Sequence, residues 1–149
     1  VLTTVLEVWQ MTKKINYKRG LIAGSFDLIH PGYIKMFQDA KKICDCLVIA
    51  LQSDPTIDRP EKNKPVQTLE ERKIILNAIK YIDEILVYDT EQSLYSLLKS
   101  TKIDIRILGS DYKNKSYTGD DLNIPVYFHK RDHMWSTSCL KNKIKNSLT

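Results

Sequence analysis

Apolar residues along this chain fall into two patterns, short unbroken runs and helically spaced faces, and the two alternate from end to end. Arg19 to Phe26 reads as a short apolar strand that ends at Gly24-Ser25. Ile34, Phe37, Ala40 and Ile43 or Cys44 then recur at helical spacing, and Pro31 suits the first turn of that helix, where its missing N–H costs nothing. Leu47 to Leu51 is continuously apolar, as expected of a strand buried on both faces. Thr68 followed by Glu71 is a capping-box pattern that predicts a helix start, with Ile75, Leu76, Ile79 and Ile82 as its apolar stripe. Glu84 to Tyr88 reads as a third strand and Glu91 to Lys99 as a helix with Leu94, Leu97 and Leu98 inward. Ile103 to Leu108 and Pro125 to His129 give a fourth and fifth strand, and Ser136 to Leu148 a last helix with Leu140, Ile144 and Leu148 on one face.

Strands alternating with helices imply a parallel sheet. The expected fold class is α/β: a Rossmann-like parallel five-stranded sheet with helices on both faces, in a single domain. Such sheets bind ligands at the carboxyl ends of their strands, near a topological switch point. Four segments then become candidates: Gly24 to Tyr33, Gln52 to Pro65, Gly109 to Tyr112 and Arg131 to Ser138. Gln52 to Pro65 is polar, holds three prolines and is long for a connection inside a compact domain, a length usually tied to function or mobility.

A chain of 149 residues with 42% hydrophobic and 28% charged residues fits one soluble globular domain. No apolar run is long enough to cross a bilayer. Val1 to Val8 lack a basic leader and a long apolar centre, so they do not read as a signal peptide. The stretch from Met11 to Lys18 resembles an ordinary protein start. Residues 1–16 are therefore expected to be an extension without a catalytic role, and residues 17–149 the working domain. Leu2, Val5, Leu6 and Trp9 fall at helical spacing, which offers a packed helix as the rival reading.

The formal net charge of +5 suits polyphosphates, nucleic acid or acidic membranes alike. Lys141, Lys143 and Lys145 read as a solvated helix face. Cys44, Cys46 and Cys139 are odd in number and match neither C-x-x-C nor a zinc spacing, so they read as reduced thiols of a cytoplasmic protein.

Two segments carry the chemistry. Gly24-Ser25-Phe26-Asp27-Leu28-Ile29-His30-Pro31-Gly32-Tyr33 joins a strand to a helix. Its glycines allow close backbone approach, and the helix start offers free N–H groups to a phosphate. Arg131, Ser136, Thr137 and Ser138 lead into the last helix. Hydroxyls there suit an anion, and a guanidinium grips phosphate oxygens in a fork.

On these residues the chain resembles the cytidylyltransferase-like nucleotidyltransferase superfamily, whose hallmark is G-x-F-D followed by H-x-G-H. Gly24, Phe26, Asp27, His30 and Gly32 stand in register, and Tyr33 replaces the second His. Arg131 to Ser138 resembles the family's R-T-E-G-I-S-T-T, departing from it at Asp132, His133 and Met134. Glu71-Arg72-Lys73, Ile79 to Glu84 and Gly109-Ser110-Asp111-Tyr112 resemble further family segments. The best likeness within the superfamily is to the glycerol-3-phosphate cytidylyltransferases, followed by the heptose-phosphate adenylyltransferases.

The resemblance implies transfer of CMP from CTP to a small phosphorylated acceptor with release of pyrophosphate. The alternatives are ATP with a sugar phosphate, or a degenerate nucleotide-binding domain, for which Tyr33 is the argument. It implies His30, Tyr33 and Arg131 as catalytic residues. Gly24, Ser25, Phe26, Asp27, Gly32, Gly109, Asp111, Ser136, Thr137 and Ser138 would bind nucleotide. Lys62, Lys64, Arg72 and Lys80 would bind substrate; the rival readings are a solvated loop for the first two lysines and an ion pair with Glu70 or an adjacent carboxylate for Arg72. Magnesium is expected to arrive with the triphosphate, with no metal held by the protein. A homodimer is expected, and neither nucleic acid nor a membrane as partner.

Overall fold

The computed structural model describes residues 16–148. The expected extension over residues 1–16, and the helical reading of Leu2 to Trp9, lie outside the described residues but for Asn16. Five strands form one parallel sheet in the order β3-β2-β1-β4-β5: β1 Tyr17–Gly24, β2 Cys44–Gln52, β3 Glu84–Tyr88, β4 Ile105–Gly109 and β5 Val126–His129. Four helices connect or follow them: α1 Pro31–Lys41, α2 Leu69–Asn77, α3 Glu91–Ser100 and α4 Thr137–Ser147. The architecture is the single Rossmann-like α/β domain that the alternating pattern implies.

The central strand shows why the pattern reads as it does. Leu47, Ile49 and Leu51 join one core cluster with Phe37 and Ala40 of α1 and Leu76 of α2. Val48 and Ala50 point the other way and join Leu94 and Leu98 of α3. Both faces of β2 are thus covered, and its period-2 alternation is hidden because both sides must be apolar. Element ends differ by a few residues from the sequence expectation. β1 begins at Tyr17 because the polar Arg19 is accommodated there, its guanidinium 2.7 Å from Glu84 and its N–H on Asp104. Short 3-10 turns at Pro55–Ile57 and Ser110–Tyr112 break the two long loops. The apolar face of α4 is not buried: Ile144 and Leu148 are exposed.

The chain passes from β1 outward to β2 and β3, then crosses back so that β4 lies on the other side of β1. The gap between β1 and β4 is therefore the switch point. Pairing across it is confined to Gly20 with Ile105 and Leu21 with Arg106. Beyond those pairs the two strands part. No helix among the described residues is long and apolar enough to cross a membrane.

Candidate active site

A cleft of about 720 Å³ opens where β1 and β4 separate, with Ile22 to Gly24 on one side and Ile107 to Gly109 on the other. The turn from β1 into α1 forms one wall. Phe26 and Leu28 adopt φ of 50° and 54°, a left-handed conformation that is unfavourable for side chains of this size and tends to occur where a site demands it. Phe26 is held in it by burial against Tyr33 and Phe37. Asp27 sits between them, 6% exposed. Its carboxylate accepts from Val66 N at 2.8 Å and Gln67 N at 3.0 Å, fastening the turn to the segment before α2.

His30 caps α1. Its Nδ1 accepts from Gly32 N at 3.1 Å, so Nδ1 carries no proton and Nε2 is the ring's donor. Burial, reinforced by Arg131 and His133, lowers the His30 pKa from its ordinary 6.5. The neutral ring that results lines the cleft with one N–H to give.

Tyr33, three residues further on in the first turn of α1, bonds to α4. Thr137 Oγ1 donates to the Asp27 carbonyl at 3.0 Å. That uses the hydroxyl's one proton, so the 3.3 Å contact between the Tyr33 and Thr137 hydroxyls has Tyr33 as donor. Burial raises the Tyr33 pKa, with Thr137 the first of the opposing influences, and the phenol stays protonated at neutral pH. Ser136 caps α4 by accepting from Cys139 N at 3.0 Å. Arg131 Nη2 donates to Trp135 O at 3.0 Å, which bends the segment ahead of the helix and keeps the guanidinium at the cleft.

The two segments also come close at Gly32. A Cβ there would lie 2.7 Å from His133 Cε1 and 2.8 Å from His30 Cε1, so only glycine lets both imidazoles flank the helix start. His133 Nδ1 accepts from Trp135 N at 3.2 Å, which leaves Nε2 as its donor as well. Just beyond β4, Asp111 folds back over Gly109, where a Cβ would meet its carboxylate.

Of the residues expected at the site, Gly24, Ser25, Phe26, His30, Gly32, Tyr33, Lys62, Gly109, Asp111, Arg131, Ser136, Thr137 and Ser138 line this one cleft. Asp27 stands behind it as a brace. Tyr33 needs a correction of role, because its hydroxyl proton is committed to Thr137. Three substrate-binding expectations are corrected in place. Lys64 and Lys80 are exposed and away from the cleft wall, Lys80 lying over the Tyr81 ring. Arg72 is 2% exposed and donates to five backbone carbonyls: Ser25, Gln52, Ser53, Gln67 and Thr68. Among the described residues it pairs with no carboxylate, and it holds the ends of β1 and β2 together. The sequence reasoning missed Arg59, Tyr88, Glu91, Arg106 and Thr118, which line the far side of the cleft. Arg106 did carry a signal, as a lone cation inside an apolar strand run.

Residues 21–138 match the cytidylyltransferase-like family. The chain belongs to that family. The cytidylyltransferase-like chain is 32% identical to the bifunctional protein HldE of Wolinella succinogenes over 125 residues, 83% of this chain and 26% of that protein. It is 35% identical to HldE of Campylobacter fetus over 82% of this chain and 27% of that protein. The chain thus spans about a quarter of the length of these relatives. Among solved structures, a lipopolysaccharide core biosynthesis protein from Thermoplasma volcanium shares the fold with a TM-score of 0.62 at 23% identity, over 79% of this chain and 98% of that one.

Proposed function

We propose that this chain transfers a nucleoside monophosphate from a nucleoside triphosphate to a small phosphorylated acceptor. One observation carries the reading: the Tyr33–Thr137–Asp27 hydrogen bonds fasten the β1–α1 turn to the start of α4 across one cleft. A single triphosphate then meets the His30 donor, the Arg131 guanidinium and the capped end of α4 together.

An acceptor phosphate oxygen attacks the α-phosphorus, a new P–O bond forms, the bond to the β-phosphate breaks, and pyrophosphate leaves. The acceptor is already an anion at neutral pH, so the protein supplies orientation and charge stabilisation rather than a base. His30 Nε2–H is the donor placed for charge developing on the phosphates. Arg131 and the α4 hydroxyls hold the leaving pyrophosphate. Magnesium would arrive with the triphosphate, where phosphate oxygens and water would hold it and it would neutralise their charge.

For the nucleotide, likeness of the Arg131–Ser138 and Gly109–Tyr112 segments to the cytidylyltransferases supports CTP, with a glycerol 3-phosphate-like acceptor. A second reading, ATP with a sugar phosphate, is favoured by the HldE relatives and by the saccharide setting in the fold neighbour's name. The protein works in the cytoplasm as a homodimer, a state that light scattering checks. Pyrophosphate release from CTP and from ATP across a panel of phosphorylated acceptors tests the transfer. Nucleotide binding with no pyrophosphate from any acceptor would leave only the degenerate binding domain.

A further inference from the structure

The wall of the cleft opposite His30 holds a buried cation without a counter-ion. Arg106 is the last residue of β4 paired to β1, at the point where the strands part. Its side chain leaves the sheet on the α3 side, and the residue is 3% exposed yet lines the cleft. Nη1 donates to Thr118 O at 2.8 Å, and the guanidinium lies 5.5 Å from the centre of the Tyr117 ring. Nε has no acceptor. No carboxylate lies within ion-pairing distance among the described residues. The nearby carboxylate, Glu91, is taken by Arg59 Nη2 at 2.8 Å and the Thr118 hydroxyl at 2.5 Å.

A guanidinium does not shed its charge in a protein. Burying one without a partner is costly, and an apolar side chain of similar size would remove that cost. Most strand neighbours of Arg106 are apolar: Ile105, Ile107 and Leu108. A buried donor left unsatisfied in a functional cleft calls for a ligand.

We infer that Arg106 is the acceptor anchor: an anionic oxygen of the acceptor enters beside the Tyr117 ring and takes the free guanidinium edge. The inference rests on the transferase reading for the word acceptor, but the anion subsite stands on Arg106 alone. Two groups share the required chemistry, the acceptor's phosphate and a carboxylate at its other end. The nucleotide phosphates are already served by His30, Arg131 and the start of α4.

The test follows the Arg106 Nε–H resonance of the full chain, labelled with nitrogen-15 and assigned by its loss in Arg106→Lys. Glycerol 3-phosphate and malonate are titrated separately, with sodium chloride at matched ionic strength as control. A saturable shift with glycerol 3-phosphate assigns the site to phosphate, and one with malonate assigns it to carboxylate. No shift with either, or an equal shift with chloride, overturns the inference. Arg106→Gln is expected to weaken the responding anion roughly 10- to 100-fold, the range for a lost charged hydrogen bond, with the affinity for CTP and ATP unchanged. Should that variant misfold, the wild-type titration still decides. Absence of nucleotide binding in the same sample would defeat the transferase reading and leave the Arg106 result intact.

Discussion

The Tyr33 hydroxyl donates to Thr137 Oγ1 at 3.3 Å, and Thr137 in turn donates to the Asp27 carbonyl at 3.0 Å. The residue standing in place of a histidine therefore ties the two phosphate-facing segments together. Tyr33→Phe removes the tie and keeps the ring packing against Phe26 and Phe37. We expect a stability loss of about 1 kcal/mol, as for one neutral hydrogen bond, read by urea denaturation. Nucleotide affinity should fall several-fold with a smaller change in turnover. An equal fall in turnover at saturating nucleotide would mean that the phenol itself touches the reacting phosphates.

His30 has two separable tasks, capping α1 through Nδ1 and donating into the cleft through Nε2. Asn caps a helix as well as any residue, so His30→Asn should keep the midpoint of thermal unfolding near wild type. It should nevertheless lower turnover by about 10²–10³, the cost of a lost transition-state donor. Parallel loss of stability and turnover would show the cap, and not the donor, to be the function.

The same histidine sets a pH dependence. Burial, then Arg131 and His133, hold its native pKa below 6.5, so near that pH the unfolded chain binds more protons than the folded one. Stability from this group is full above 6.5 and is lost as pH falls through 6.5 toward the native value. Denaturation midpoints of wild type and His30→Asn should diverge on acidification, with wild type falling faster. Parallel curves would contradict the depressed pKa.

How much of this was legible follows from where the information lies. The strands and helices could be read because β2 must be apolar on both faces and the helices on one, and local spacing records that. His30, Gly32 and Arg131 to Ser138 could be placed at one site because they form short contiguous motifs at strand ends. Arg72 could not be read correctly. Its role depends on carbonyls from Ser25, Gln52 and Ser53, which come together only in three dimensions, and an arginine in the first turn of a helix looks the same in sequence whether it grips a ligand or the backbone. The tie from Tyr33 spans 104 positions, and no spacing rule reports it. Lys64 and Lys80 were overread for a simpler reason: charge alone does not say which way a surface lysine faces.

Gly32 gives a prediction about space. A methyl group there would meet two imidazole carbons at 2.7 and 2.8 Å and His30 Nδ1 at 2.9 Å. Gly32→Ala therefore forces one ring aside, at about 1–3 kcal/mol for overpacking. Because His30 is also fixed by the Gly32 N–H, the ring expected to move is His133. Calorimetric titration should show weaker nucleotide binding while the circular dichroism spectrum is unchanged. Wild-type affinity in the variant would show that the contact of the two rings is irrelevant to the site.

Arg72 gives the last prediction. Its guanidinium reaches carbonyls at the ends of both β1 and β2, with Ser25 O at 2.9 Å, Gln52 O at 2.6 Å and Ser53 O at 2.6 Å. Arg72→Met fills the volume but leaves these carbonyls without a donor in the interior. Each unsatisfied group carries a desolvation cost, so a loss of about 3–5 kcal/mol is expected. Arg72→Lys should recover only part of it, because an ammonium is a point charge and cannot span a fan of acceptors. A direct role in substrate binding predicts the opposite signature: near-normal stability with a raised KM for the acceptor. Denaturation curves together with KM in both variants separate the two, and normal stability in Arg72→Met would return Arg72 to the substrate.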